Sequence, residues 1–140
     1  MDDGTIEDAF RYALNGASLD TMSNGDHDNG GVEYSWYLTQ KLYDIHHMPP
    51  RFISMFGYER SRGENSTGGH RNVIMAERGI RVLPGFGVEK TDETGSVQDT
   101  RMLYRYLKHF GAISVPHTIG THAGPNFVDY APDVEPVVEI

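Results

Sequence analysis

Histidine and acidic side chains lie at the ends of the short apolar runs in this 140-residue chain. Asp26 and His27 follow the first predicted strand, Glu59 closes the second, His70 opens the third, and His117 follows the fourth. In parallel α/β folds, the loops at the carboxyl ends of the strands converge on one face, and ligands bind there. The spacing therefore predicts that these side chains share one site.

Imidazole nitrogens and carboxylate oxygens together are ligands suited to zinc, manganese or iron. The chain has no cysteine but has seven histidines and 20 acidic residues. Thiolate zinc sites, iron–sulfur clusters and cysteine nucleophiles are therefore excluded. A carboxylate can bridge two ions, and paired ions stabilise an in-line phosphoryl displacement. We predict a divalent-metal site built from nitrogen and oxygen donors.

Each of these residues also has a purely structural interpretation. Asp26 and His27 lie in a glycine-rich loop, where such a pair is often a turn with a helix cap, and Glu59 could pair with a neighbouring arginine. His70 fits a surface position, and His117 fits a buried, hydrogen-bonded histidine. Their joint position at strand ends, rather than any one residue, favours a metal site.

Two further residues are candidates for contacting a substrate and stabilising the charge that develops on it. Arg71 could bind a phosphate or a carboxylate bidentately, although a salt-bridged arginine is an equally good interpretation. His122 lies in the glycine-rich loop after His117 and could line the same site. The sequence has no Gly-x-Ser-x-Gly, Walker or dinucleotide-binding motif, so it does not support a nucleophilic triad or a nucleotide fold.

Short apolar runs and amphipathic segments alternate along the chain and must position these side chains. Helical spacing predicts helices over residues 5–14, 33–46 and 100–110, with Gly111 ending the last. Apolar runs predict strands over residues 18–23, 52–56, 70–75, 112–115 and 136–140. Residues 79–98 are interpreted as a surface loop. This order predicts an α/β fold with a largely parallel sheet and flanking helices.

The length predicts a single domain over residues 1–140. The net charge of −8 argues against nonspecific nucleic-acid binding, which requires a basic face. The sequence has no run of about 18 apolar residues, so we expect no membrane segment. The first residues, Met-Asp-Asp-Gly, lack the basic and apolar stretches of a signal peptide, which leaves the compartment open with the cytoplasm as default.

In their order along the chain, these motifs resemble the PHP family, metal-dependent phosphoesterases named after polymerase and histidinol phosphatase. The similarity is closest to an uncharacterised bacterial branch. Five segments carry it: residues 19–28 with Asp-His, 56–61 with Gly-Tyr-Glu, 69–74 with Gly-His-Arg, 115–118 with Pro-His, and 135–140. Each motif is short, and the specificity of the resemblance comes from the ordered set.

The resemblance implies both a site and an activity. It implies four metal ligands, which are His27, Glu59, His70 and His117. Glu59 would be the bridging carboxylate, and Asp26 would orient a ligand from outside the coordination sphere. The fold implied is a distorted (β/α)7 barrel. The activity implied is hydrolysis of a small-molecule phosphoester by a metal-activated water.

The chain departs from the family pattern at both ends. The opening His-x-His and the closing Asp-x-His motifs are absent, so we expect the chain to be the middle of a PHP-like domain. Missing terminal strands would leave open sheet edges, and such edges pair with other chains, so we predict a homo-oligomer. Three alternatives stay open: an inert metal-binding module, an assembly scaffold without metal, and a metal-dependent hydrolase of carboxylic esters or amides.

Overall fold

Three α-helices and a four-stranded sheet form the described part of the chain. The computed structural model describes residues 4–28, 33–61, 68–84, 92–95 and 97–140. Residues 1–3, and residues 85–91 and 96 of the predicted 79–98 loop, lie outside this part. The helices are α1 (Ile6–Arg11, extended by a π-helical turn over Tyr12–Gly16), α2 (Glu33–His46) and α3 (Gln98–Phe110). The strands are β1 (Thr21–Ser23), β2 (Ile53–Arg60), β3 (Arg71–Met75) and β4 (Ile113–Pro116).

The three helices confirm the sequence predictions, and local chemistry explains where they begin and end. α1 begins at a capping box in which Thr5 and Asp8 satisfy each other's backbone amides. Hydrogen bonds from Thr5 hold the pKa of Asp8 below its ordinary value. α3 ends at Gly111, whose φ of 62° is the left-handed conformation that glycine adopts without strain. None of the helices that the structure describes combines the length and apolar character needed to cross a bilayer.

The sheet is open and mixed, so the prediction of a largely parallel (β/α)7 barrel is wrong. Its order is β1-β2-β3-β4, with β1 parallel to β2 and with β3 antiparallel to both β2 and β4. Parallel neighbours need a crossover of about a dozen residues or more, usually a helix. The connection over residues 61–70 is too short for one, so β3 must run back along β2.

The predicted strand over residues 136–140 does not form, and this segment instead follows the outer edge of β4. The carbonyl of Val134 accepts from Ser114 N at 2.7 Å, and the amide of Glu139 donates to Pro116 O at 3.0 Å. At the opposite edge, β1 is only three residues long. Short or partly covered edges resist pairing with other chains. Self-association remains a prediction, and a monodisperse monomer in light scattering at micromolar concentration would contradict it.

The two faces of the sheet differ, because side chains alternate along each strand. One face packs on α2 and α3, and the fully buried side chains of the core are Phe10, Tyr43, Phe52, Val73, Leu103 and Leu107. The opposite face carries Glu59 of β2 and Asn72 of β3, which the register places side by side, and both are only half-buried. This second face is therefore the one on which polar groups can meet a ligand.

Candidate metal centre

The four predicted metal ligands meet at one end of the sheet. β1, β2 and β4 point the same way, so His27, Glu59 and His117 lie at or just beyond their carboxyl ends. β3 runs in the opposite direction, and His70, which precedes it, therefore reaches the same end. A parallel β3 would have placed His70 at the far end. The antiparallel direction of β3 contradicts the predicted barrel, and the same direction brings His70 into the cluster.

The sheet register also places these side chains on one face. His27 forms an isolated parallel bridge with Glu59, and Glu59 pairs with Asn72. His70 precedes Asn72 by two residues and so points to the same face as Asn72. The amide of His117 donates to the His70 carbonyl at 3.3 Å, which continues the row to β4.

The carboxylate of Glu59 lies at the centre of the cluster. Its Oε1 is 2.9 Å from Nδ1 of His70 and 3.4 Å from Nε2 of His117, and its Oε2 is 3.2 Å from Nε2 of His27. One ligand atom each from Glu59, His70 and His117 all lie within 4.8 Å of one another. The two carboxylate oxygens thus face different imidazoles, with His27 on the side away from the other two.

Burial makes this group of donors unusual. The side chains of Glu59, His70 and His117 are 13%, 18% and 12% exposed, whereas that of His27 is 56% exposed. Among the residues that the structure describes, the buried Nε2 of His117 has no hydrogen-bond partner, because its 3.4 Å approach to Oε1 of Glu59 lacks hydrogen-bond geometry. A buried polar atom without a partner costs about 1–3 kcal/mol. Two nitrogens and a carboxylate oxygen converging on one point fit a divalent cation, which would satisfy that atom.

A buried tyrosine hydroxyl holds the strand ends that carry the cluster. Tyr43 of α2 donates to the Gly57 carbonyl at 2.9 Å and accepts from the Asn24 amide at 2.8 Å, so it joins β2 to the loop after β1. Burial raises the pKa of this hydroxyl to about 12. Gly57 permits the close approach of β1 and β2, because a Cβ there would lie 2.0 Å from Oγ of Ser23.

Asp26 supports Glu59 through its backbone, and its carboxylate points elsewhere. The Asp26 carbonyl accepts from the Glu59 amide at 2.9 Å, and the Asp28 amide donates to the Glu59 carbonyl at 2.8 Å. The carboxylate of Asp26 accepts from Nδ2 of Asn24 at 2.8 Å. The loop after β1 therefore clamps the backbone of Glu59 from both sides. Asp26 helps to position the predicted ligand Glu59, although by a different contact from the one that the resemblance implies.

Arg60 is not the partner of Glu59, because it points to the opposite face of β2. Its guanidinium donates to both carboxylate oxygens of Asp99 at 2.7 and 2.8 Å, and its Nε donates to the Leu83 carbonyl at 3.1 Å. Both side chains of the ion pair are nearly inaccessible. This buried pair fixes the end of β2 to the first turn of α3, directly beside Glu59.

The structure does not bring Arg71 or His122 into the cluster. Arg71 lies on the core side of β3, 3% exposed, and its guanidinium bonds to the Glu135 carboxylate, the Gly68 carbonyl and the Tyr104 hydroxyl. His122 is exposed. Its loop reaches the site through the carbonyl of residue 123, which accepts from the His70 amide at 2.9 Å. Neither side chain is among the atoms that converge on Glu59.

Asn72 is a site residue that the sequence analysis missed. It lies opposite Glu59 in the sheet, where paired Cβ atoms are about 5 Å apart. Its side chain is half-buried and has no hydrogen-bond partner in the part of the chain that the structure describes. An asparagine inside an apolar run carries no signal of its own. Only the pairing of β2 with β3 shows that its amide faces the cluster.

No family model, no curated protein and no solved structure matches this chain. The resemblance to the PHP family therefore rests on the motifs alone and stays a prediction. Its structural implication, the barrel, is contradicted by the mixed sheet. The geometry of the Glu59 cluster is independent of the resemblance.

Proposed function

We propose that this chain is a metal-dependent hydrolase of phosphoesters. The observation that carries the proposal is the convergence of three imidazoles on the Glu59 carboxylate, where the buried Nε2 of His117 has no hydrogen bond to any residue that the structure describes. The cluster lies on the face of the sheet opposite the core, and a substrate can approach it from the side of His27, which is 56% exposed.

Glu59, His70 and His117 would hold a zinc, manganese or iron ion, with His27 at the second carboxylate oxygen. When bound, such a metal supplies Lewis acidity and lowers the pKa of a coordinated water towards neutrality. The negative charge of the Glu59 carboxylate would offset part of the positive charge of the bound metal ion. The hydrogen-bonded row of strand ends holds the ligands in place before the substrate arrives, so little reorganisation is needed.

The amide group of Asn72 supports a role in binding the substrate. Its N–H groups are donors, and its position opposite Glu59 would let them reach an oxygen of a phosphoryl group beside the cluster. Arg71 takes no part in this proposal because its guanidinium is already bonded on the other face.

Metal content tests the proposal directly. Protein purified without added metal should contain about one equivalent or more of a divalent ion by elemental analysis. Glu59→Ala and His117→Ala should each lose that metal together with hydrolysis of bis(4-nitrophenyl) phosphate. His109→Ala is the matched control, since His109 is exposed on α3 and outside the cluster. Metal content that is unchanged in the two cluster variants would contradict the proposal.

A hydrolase of carboxylic esters or amides is the second candidate. The position of the Arg71 guanidinium in the core, bonded to Glu135 and away from the cluster, favours this candidate. A neutral carbonyl substrate needs less positive charge in its site than a phosphate does. Rates with 4-nitrophenyl acetate and with aryl phosphate mono- and diesters separate the two classes. Stoichiometric metal without turnover of any of these substrates would favour the inert metal-binding module.

A further inference from the structure

The fully buried carboxylate of Glu135 joins three elements on the core side of the sheet. Its Oε1 accepts from Nε of Arg71 on β3 at 2.5 Å and from Oγ of Ser114 on β4 at 3.0 Å. Its Oε2 accepts from the hydroxyl of Tyr104 on α3 at 2.6 Å. Glu135 itself belongs to the segment that follows the outer edge of β4. One side chain therefore ties two neighbouring strands to each other and to a helix.

The two strands that Glu135 joins hold two imidazoles of the cluster side by side on the other face. The register pairs Arg71 with Pro116, so the next pair outwards is His70 with His117. Their ring centroids are 5.8 Å apart, and the amide of His117 donates to the carbonyl of His70 at 3.3 Å. A shift of one residue between β3 and β4 would turn one imidazole towards the core. The separation of these two metal ligands therefore depends on the register of β3 against β4.

The ion pair of Arg71 and Glu135 is better suited to fixing this register than to adding stability. The cost of desolvating two buried charges offsets most of their attraction, so such pairs stabilise a fold only weakly. The fork of a guanidinium must meet its carboxylate in one geometry, whereas apolar side chains can pack in several arrangements. The guanidinium of Arg71, 3% exposed, also donates to the carbonyl of Gly68, two residues before His70. The pair thus holds the chain on both sides of His70.

We infer that Glu135 is a positioning residue of the metal centre, which fixes the register of β3 against β4 and with it the separation of His70 and His117. The inference rests on the proposed function, because it assigns Glu135 a role towards the ligands of that metal. Glu135 would contact neither the metal nor the substrate, since its carboxylate lies on the opposite face of the sheet. Its loss should therefore change the geometry of metal binding without removing a ligand.

Cobalt binding measures this role, because the visible absorption of bound Co²⁺ depends on the number and geometry of its ligands. Glu135→Gln should weaken cobalt binding about 10- to 100-fold and change the absorption spectrum. Glu139→Gln is the matched control, since it removes the same charge from an exposed position in the same segment. Its cobalt affinity and spectrum should equal those of the parent chain.

Tyr104→Phe is a milder second variant, because Glu135→Gln leaves a buried guanidinium without its carboxylate and can prevent folding. It removes one hydrogen bond to Glu135 and should weaken cobalt binding about 2- to 10-fold, with a spectral change in the same direction. A parent-like affinity and spectrum in Tyr104→Phe and in folded Glu135→Gln would overturn the inference.

Leu107→Ala separates positioning from a general loss of stability. Leu107 is fully buried on α3, and its apolar side chain cannot join the hydrogen bonds of Glu135, so its truncation destabilises the fold through a core cavity. At a temperature at which the compared variants are folded, Leu107→Ala should bind cobalt within about twofold of the parent chain. A loss of cobalt affinity equal to that of the network variants would overturn the inference.

Amide hydrogen exchange in the metal-free protein separates this inference from the proposed function. The amide of His70 donates to the Ala123 carbonyl at 2.9 Å, and that of His117 donates to His70. In Glu135→Gln or Tyr104→Phe, both amides should exchange about tenfold faster than in Leu107→Ala. If the parent chain binds neither cobalt nor zinc, the proposed function fails, and the faster exchange would still support Glu135 as the residue that holds the two imidazoles together. If the parent binds metal but neither exchange nor metal binding changes in these variants, the inference fails and the proposed function stands.

Discussion

The hydroxyl group of Tyr43 shows how single atoms hold this site together. It lies in the core, yet its hydrogen bonds connect the loop of Asn24 to β2 at Gly57. Neither partner is near Tyr43 in the sequence, and both are buried backbone groups that need a partner. Replacing the hydroxyl would remove this link, next to the strand ends that carry His27 and Glu59.

We expect the protein to lose stability above pH 10, partly through Tyr43. Burial raises the pKa of Tyr43 to about 12, whereas the unfolded chain has the ordinary value of about 10. The stabilisation is complete below pH 10 and is lost as the pH rises towards 12, because the unfolded state loses its proton first. The loss is on the order of 2–3 kcal/mol. Urea denaturation at pH 8 to 11.5 measures it.

Tyr43→Phe should be about 1–3 kcal/mol less stable at pH 8 and should lose less stability between pH 10 and 11.5. The decline should not disappear, because burial also raises the pKa values of Tyr58 and Tyr104. Tyr34→Phe, which removes a hydroxyl from an exposed position, should leave the pH dependence unchanged. An alkaline decline in Tyr43→Phe equal to that of the parent chain would contradict the assignment.

The amide of Asn72 leads to a separate prediction about activity. Asn72→Leu preserves the side-chain volume but removes both donors, so kcat/KM for a phosphodiester should fall about 10- to 100-fold, with unchanged metal content. Ile74→Leu, the next side chain on the same face of β3, should change kcat/KM by less than about twofold. An unaltered kcat/KM in Asn72→Leu, or a loss of its metal, would argue against a substrate contact.

Among the secondary-structure elements, β2 carries Glu59 at the centre of the site, and α3 fixes the end of this strand. Glu59 and Arg60 are adjacent, so their side chains point to opposite faces. Glu59 faces the imidazoles, while Arg60 forms its buried pair with Asp99 in the first turn of α3. A contact in the core therefore sets the position of a residue in the candidate metal centre.

Removing one partner of this buried pair should destabilise the fold and weaken the cluster. Asp99→Ala leaves the Arg60 guanidinium buried and uncompensated, which costs about 3–5 kcal/mol. Asp44→Ala, which breaks the exposed pair with Arg78, should cost less than about 1 kcal/mol. Chemical denaturation measures both values, and chelator competition measures zinc affinity. Similar costs for the two variants, or full zinc affinity in a folded Asp99→Ala protein, would contradict this coupling.

For the molecule as a whole, a ligand that binds only the folded chain must stabilise it. The donors of the cluster come from residues 27, 59, 70 and 117, which meet only when the sheet has formed. Zinc at about 100 times its Kd should add about 2.7 kcal/mol. For a chain of this length, that corresponds to a rise in Tm of roughly 5–10 °C.

Thermal unfolding followed by circular dichroism, with zinc and then with EDTA, measures this shift. His117→Ala should show almost none of it, and magnesium should have little effect on the parent chain because it prefers oxygen ligands. Since the chain carries a net charge of −8, nonspecific binding of cations is the competing explanation. Equal zinc shifts in the parent chain and in His117→Ala would support that explanation and contradict a specific site.

The amino-acid sequence was sufficient to predict the three helices and to mark some of the residues that meet in the candidate site. The helix predicted over residues 33–46 has the bounds of α2, and Gly111 ends α3 as expected. Both helix boundaries depend on side-chain periodicity and capping, which involve residues only a few positions apart in the sequence. The same local pattern marked His27, Glu59 and His117 as residues at the ends of apolar runs.

Only the folded arrangement of the chain sets strand direction and pairing, and these decide which side chains meet. An apolar run looks the same in a parallel and an antiparallel strand, because its hydrogen-bond partners lie far away in the sequence. His70 joins the cluster because β3 is antiparallel, and Asn72 joins it because of the register with Glu59. Arg71 lies between His70 and Asn72 in the sequence. Its side chain points into the core, because side chains alternate between the two faces of the sheet, and there it bonds to Glu135.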